Sequence, residues 1–164
     1  MKIDRMTENQ LEAVAQLEQR CFSHPWSFNS LEEELNNETS LFFTATEDNA
    51  VVGYIGMSVV VDEGYIFNVA VDGTHRNRGI GSALVETLVT YAKKNNLCFL
   101  TLEVRESNKN ARSLYEKFGF IKVGERKNYY SSPTENAVLM TRCFWLERKN
   151  YYSSPTENAV LMTR

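Results

Sequence analysis

The chain has 164 residues, the length of one domain with room for a core, and 43% of them are hydrophobic, which excludes a disordered polymer. Lys and Arg number 18 against 21 Asp and Glu, and the formal charge of −3 excludes a protein held to nucleic acid by bulk positive charge. Cys21, Cys98 and Cys143 lie far apart with no CxxC and no metal spacing, so they read as reduced thiols of a cytoplasmic protein without a metal site.

The opening MKIDRMTENQ lacks the apolar core of a secretory signal, and no apolar run approaches the ~18 residues that span a bilayer. Thr7-x-x-Gln10 is a capping box, and it opens a helix with Leu11, Val14, Ala15 and Leu17 on its apolar line. SHPWS ends that helix, because Pro25 disfavours helical geometry in His24. Ser27 or Asn29 then caps a short helix carrying Leu31 and Leu35. Its acidic run, Glu32–Glu34 with Glu38, is a solvated face or a field that draws in a basic partner.

LFFTATEDNAVVGYIGMSVVV predicts two strands joined at Asp48-Asn49, and GYIFNVAV predicts another. A long amphipathic helix follows, with Ile80, Leu84, Leu88 and Tyr91 on one face. LCFLTLEV is a continuous apolar run, short enough for a buried strand. Asn108 caps a helix with Ala111, Leu114, Tyr115 and Phe118 inward, and Gly119 closes it. FIKVGER and NAVLMTR are the last strands. The order β-α-α-β-β-β-α-β-α-β-β places the chain in the α/β class, a mixed and mostly antiparallel sheet flanked by helices.

The chemistry concentrates in VAVDGTHRNRGIGSAL, where a strand gives way to a helix across Arg76-Asn77-Arg78 and two glycines. A helix start leaves its first N–H groups unpaired and partially positive, and glycine lets a ligand approach them closely. In this stretch the N–H groups from Asn77 to Ser82 can ring a phosphate or diphosphate, with Arg76 and Arg78 adding charge. A plain solvated turn would use the same residues. No GxxxxGK[ST] run exists, which excludes a P-loop. A dinucleotide fingerprint fits poorly, because Leu84 stands where its third glycine belongs and six residues separate Asp72 from Gly79.

Arg76-x-x-Gly79-x-Gly81 resembles the acetyl-CoA-binding loop of the GNAT superfamily of N-acetyltransferases, whose element order is the same as the one above. CFSHPWS, FNVAVD, LEVRESNKNARSLYEKFGF and RKNYY are further similar to the bacterial ribosomal-protein alanine N-acetyltransferases, and the likeness runs from about Thr7 to Met140. The resemblance implies splayed strands around acetyl-CoA and a bulge in Phe67–Val71. The backbone of Val69, Ala70 and Val71 then meets the pantetheine arm. It implies that Asn77, Arg78, Gly79, Ile80, Gly81 and Ser82 hold the diphosphate beside Arg76, and that Asn108 bonds the arm. It assigns Glu103 as general base, Tyr115 as general acid, and Trp26, Tyr129 and Tyr130 to the substrate cleft, with no metal.

The residues suit those roles chemically. An α-amino group of pKa about 7.7–8.0 must lose a proton before it attacks a thioester, and a carboxylate can take it. A leaving thiolate departs more easily when a phenol protonates it. Read singly, Glu103 is equally an ordinary strand-end acid and Tyr115 equally a core residue. The implied acceptor is the N-terminal alanine of the eighteenth small-subunit ribosomal protein. Another N-terminus or small amine, or a coenzyme-binding module without turnover, are the alternatives.

Residues 125–142 recur without change as 147–164, joined by CFWL. Two identical terminal copies are not a solenoid, which needs about three to bury a core. The expectation is a domain over 1–146 and an extra tail. The first copy takes the sheet slot, because a short connection closes at lower entropic cost. The second is then loose or exchanges into a neighbour, giving a monomer or a tail-swapped dimer.

Overall fold

A computed structural model describes residues 1–148, and the expected fate of the second tail copy falls almost wholly on residues outside these. Seven strands form one sheet: β1 (Lys2–Arg5), β2 (Ser40–Glu47), β3 (Ala50–Val60), β4 (Glu63–Val71), β5 (Phe99–Arg105), β6 (Ile121–Tyr130) and β7 (Glu135–Cys143). The helices are α1 (Leu11–Cys21), α2 (Phe28–Leu35), α3 (Ile80–Lys94), α4 (Lys109–Lys117) and the short α5 (Trp145–Arg148). The strand order is β1-β2-β3-β4-β5-β7-β6. Every neighbouring pair is antiparallel except β4 with β5. The first copy of the repeated segment thus supplies β7, inserted between β5 and β6. Glu147, which opens the second copy, lies in α5 and pairs with Lys93 at 2.8 Å and Arg142 at 2.7 Å.

The local signals act as the sequence predicts. Thr7 and Gln10 close the capping box, with a 3-10 turn over Glu8–Gln10 before α1. Ser27, not Asn29, caps α2 by accepting the Ser30 N–H at 3.1 Å. Asn108 caps α4 through the Ala111 N–H at 3.1 Å, and Gly119 ends that helix in the left-handed region. Strand alternation sorts side chains to two faces. Leu41 and Ile55 join a core with Ile80, Leu84, Val85 and Leu88 of α3. Phe42 and Tyr54 point the other way, to Leu11, Val14 and Leu17 of α1 and Leu31 of α2. Each such aliphatic side chain contributes roughly 1.5–3 kcal/mol by leaving water.

Two irregularities shape the middle of the sheet. β4 and β5 pair only from Glu63–Phe99 to Tyr65–Thr101, although β4 continues to Val71 and β5 to Arg105. Within the β3–β4 ladder, Gly56 faces Asn68 while Met57 faces Ile66, so Phe67 is an extra, bulged residue. Gly56 sits opposite this bulge because a Cβ there would lie 2.3 Å from the buried Phe42 ring. Gly56→Ala is therefore expected to cost about 1–3 kcal/mol in urea unfolding, as overpacking does. Gly73→Ala, where a Cβ meets nothing within 4 Å, should change it by less than about 0.5 kcal/mol.

β4 leads into the loop through Asp72, which accepts the Thr74 N–H at 3.0 Å and hydroxyl at 2.9 Å and pairs with Arg20 at 3.0 Å. Those donors, Thr74 first and then Arg20, hold its carboxyl down from 3.8 to about 2. A depressed carboxyl stabilises the fold fully above its unfolded value and loses that contribution as pH falls through the folded one. Asp72→Asn should thus be less stable than the parent at neutral pH, with the gap closing between about pH 4 and pH 2. A gap constant across acid titration would contradict this.

Candidate active site

Where β4 and β5 diverge, a strand edge in the sheet interior keeps its polar groups. The Asp72 N–H bonds the Val52 carbonyl of β3 at 2.8 Å. Alternation then turns the N–H and C=O of Ala70 toward β3 and those of Val69 and Val71 toward the gap. The Val71 carbonyl receives the Arg76 guanidinium at 3.4 Å and the Cys21 thiol at 3.5 Å. The Val69 pair and the Val71 N–H face the opening. Of the three residues expected to meet a pantetheine arm, Ala70 is therefore the one whose own backbone groups are spent on the sheet.

α3 begins beside the end of this edge: a Cβ at Gly81 would meet Leu114 of α4 at 3.3 Å and Val71 at 3.8 Å. The N-cap is Gly79, at φ +80°, with no side chain to answer the first amides, and the preceding Asn77 is also left-handed at φ +60°. The first intrahelical bond is Ala83 N–H to the Gly79 carbonyl at 3.0 Å, so the N–H groups of Gly79, Ile80, Gly81 and Ser82 have no helical acceptor. An anion fits such a cradle. A side chain at 79 would have to adopt a backbone geometry that glycine alone takes without penalty. The two arginines have partners within the chain: Arg78 pairs with Glu47 at 3.0 Å, and Arg76 reaches the Val71 carbonyl at the open edge. Asn108 has its Oδ1 engaged as the α4 cap, which leaves its amide Nδ2 as the group with donors to offer.

On the other side of the divergence lies a cleft of about 450 Å³, bounded by β4, β5, β6, β7 and the loop after α1. It brings together Trp26, Glu103, Tyr129 and Tyr130, four of the residues singled out in the sequence. Strand alternation explains Glu103: Leu100, Leu102 and Val104 are buried in the core, and Glu103 points from the opposite face. Its Oε1 takes the Arg126 guanidinium at 2.9 Å and its carboxylate also receives the Tyr129 hydroxyl, whose pKa that contact raises. The Tyr130 ring lies 4.5 Å under the Arg105 guanidinium, and burial, with Glu103 nearby, pushes its phenol up to about 12. Arg105 also donates to the Ser131 and Pro133 carbonyls at 3.0 Å, fixing the loop between β6 and β7. His24, in the loop after α1, meets Ser131 of that β6–β7 loop at 3.1 Å.

Tyr115 does not line the cleft. It packs on the buried face of α4, its ring 5.7 Å from Phe120, and burial raises its phenol, with Tyr130 adding to the rise. Its proton therefore stays on at neutral pH. Arg126, Asn68 and Glu18 are residues the sequence reading passed over. Arg126 stood in the quoted RKNYY, but an arginine on an edge strand gives no local sign of its partner. Glu18 did give a sign, because positions 11, 14, 15 and 18 form one helical stripe. Among the described residues, no His, Cys, Asp and Glu group is placed to hold a metal, and no helix is long and apolar enough to cross a membrane.

Comparison with known proteins agrees with this architecture. The acetyltransferase (GNAT) family matches residues 11–120. The [Ribosomal protein bS18]-alanine N-acetyltransferase of Haemophilus influenzae is 40% identical over 132 residues, which is 79% of this chain and 89% of that protein. The crystal structure of the ribosomal-protein-S18-alanine N-acetyltransferase from Escherichia coli superposes with a TM-score of 0.81 at 34% identity, covering 87% of this chain and 92% of that one. A chain of the NatC complex, solved bound to Gag peptide and CoA, gives a TM-score of 0.73 at 25% identity over 87% of this chain and 99% of its own. The family match over most of the chain, with this identity and this shared sheet, makes the chain a member of the GNAT acetyltransferase family.

Proposed function

We propose that the protein transfers acetyl from acetyl-CoA to the N-terminal alanine of ribosomal protein bS18, in the cytoplasm, by direct attack within a ternary complex. The observation that carries this reading is the pairing of an uncapped α3 N-terminus with an unpaired β4 edge, opposite a cleft holding one carboxylate. The amides of Gly79 to Ser82 receive the diphosphate. The Val69 and Val71 groups that face the gap continue the sheet onto the pantetheine amides, and the Asn108 Nδ2 donates to the same arm.

The cleft receives the acceptor. Glu103 takes a proton from the incoming ammonium, directly or through water, and Arg126 and Tyr129 hold the carboxylate in place for it. The incoming ammonium must join or displace Arg126 at the Glu103 carboxylate. Trp26, Tyr129 and Tyr130 wall the first residues of the peptide. Tyr115 donates to the sulfur as the thiolate leaves. The burial that keeps its phenol protonated also disfavours a bare thiolate there, so the two proton affinities rise together.

Coenzyme release should follow addition of a short Ala-initiated peptide matching that ribosomal protein, and free small amines should give far less. The reverse preference would overturn the acceptor assignment. Glu103→Gln should lower kcat by about 10²–10⁴ with acetyl-CoA affinity changed less than about twofold, since it removes a base and not a binding contact. Loss of cofactor binding in that variant would contradict the role given to Glu103.

A further inference from the structure

Glu18 is fully buried, yet among the described residues no ion pair reaches it. Neutral donors from three elements hold it instead. Oε2 accepts the backbone N–H of Trp26 at 2.9 Å. Oε1 accepts the Asn68 Nδ2 at 2.9 Å and the Tyr54 hydroxyl. Asn68 and Tyr54 are themselves 3.4 Å apart. Burial and the Glu18 charge both raise the Tyr54 phenol, so it remains a donor. A carboxylate removed from water is unfavourable unless its oxygens are answered, and an apolar side chain at this point of the α1 stripe would avoid that cost.

The partners locate what the carboxylate does. Trp26 stands in the loop after α1 and lines the cleft, with its ring 5.3 Å from that of Phe67. Asn68 follows the bulged Phe67 and lines the same cleft. Tyr54 lies on β3, two residues before Gly56, the residue opposite Asn68. One buried group thus ties the cleft wall to the cleft floor, and no catalytic step uses it.

We infer that Glu18 is a positioning residue for the acceptor: it fixes Trp26 and the β4 bulge relative to one another and so sets the width of the cleft. The inference rests on the acceptor reading above. Its hydrogen bonds on β4 end at Asn68 and touch none of the Val69 to Val71 groups that face the gap.

Glu18→Gln tests it. The side chain keeps its size, but its Nε2 donates where an oxygen accepted, so either the Trp26 N–H or the Tyr54 and Asn68 donors lose their acceptor. The peptide KM should rise about tenfold while the acetyl-CoA KM moves less than about twofold. In a Trp145→Phe background Trp26 is the single tryptophan, and acrylamide should quench it more readily in the Glu18→Gln variant with no ligand present. Tyr54→Phe should move both readouts the same way by less, and it carries the test if Glu18→Gln does not fold. A lowered melting temperature with peptide KM and quenching unchanged would overturn the inference, as would equal rises in both KM values. If the parent acetylates no peptide, the acceptor reading fails, and the quenching result still decides whether Glu18 positions Trp26.

Discussion

The structure turns on the parting of β4 from β5. Two neighbouring strands that begin in register over three residue pairs then separate, in the middle of a seven-stranded sheet. Interior backbone groups ordinarily find partners, since an unanswered one costs as much as a lost hydrogen bond. Here the fold keeps β4 paired with β3 on one side, apart from the Phe67 bulge, and opens it on the other. The bulge at Phe67 bends the strand, and the aromatic contact of Phe67 with Trp26 props that bend from the α1 side. The α3 N-terminus and the cleft both take their places from this divergence: one at the far end of the open edge, the other across it.

Electrostatics sharpen the picture. The loop is rich in arginine, but Arg78 is bound to Glu47 and Arg76 to the Val71 carbonyl. In the proposed function, recognition of the diphosphate therefore falls to oriented backbone amides more than to guanidinium charge. Amides fixed by Gly79 and the left-handed Asn77 need no rearrangement when an anion arrives. The cleft shows the opposite design, with charged side chains in mutual contact. Arg126 and Tyr129 occupy the Glu103 carboxylate, so an acceptor amine must displace or join an existing set of hydrogen bonds.

The element order was legible because its signals are local. Capping residues, the Asp48-Asn49 turn, proline at 25 and the 3.6-residue stripe of α3 each act within a few positions. The glycine loop and the family likeness likewise lie in contiguous runs. What escaped were partnerships across the sheet. Glu103 gave no sign of Arg126, 23 positions on in another strand, because a side-chain pair formed through two ladders has no sequence period. The loop arginines likewise gave no sign of the contacts they make, Arg78 with Glu47 and Arg76 with the Val71 carbonyl. Tyr115 reads from its helical face as core and from its family position as an acid, and the structure buries it on the inward face of α4, outside the cleft lining. Glu18 lay on a visible stripe, but an acid there reads as a boundary residue until its three donors are seen together.

The central claim is that the unpaired amides at the start of α3, beside the open β4 edge, hold the diphosphate of coenzyme A. The most direct measurement is a backbone-amide NMR titration of the isotopically labelled chain with coenzyme A, set beside one with pantetheine, which lacks the diphosphate. The account predicts the largest shifts at Gly79, Ile80, Gly81 and Ser82 with coenzyme A, their loss with pantetheine, and smaller shifts at Val69 and Val71 with both. Shifts confined to another surface, such as the cavity lined by Lys93, Lys94 and Phe144, would contradict it.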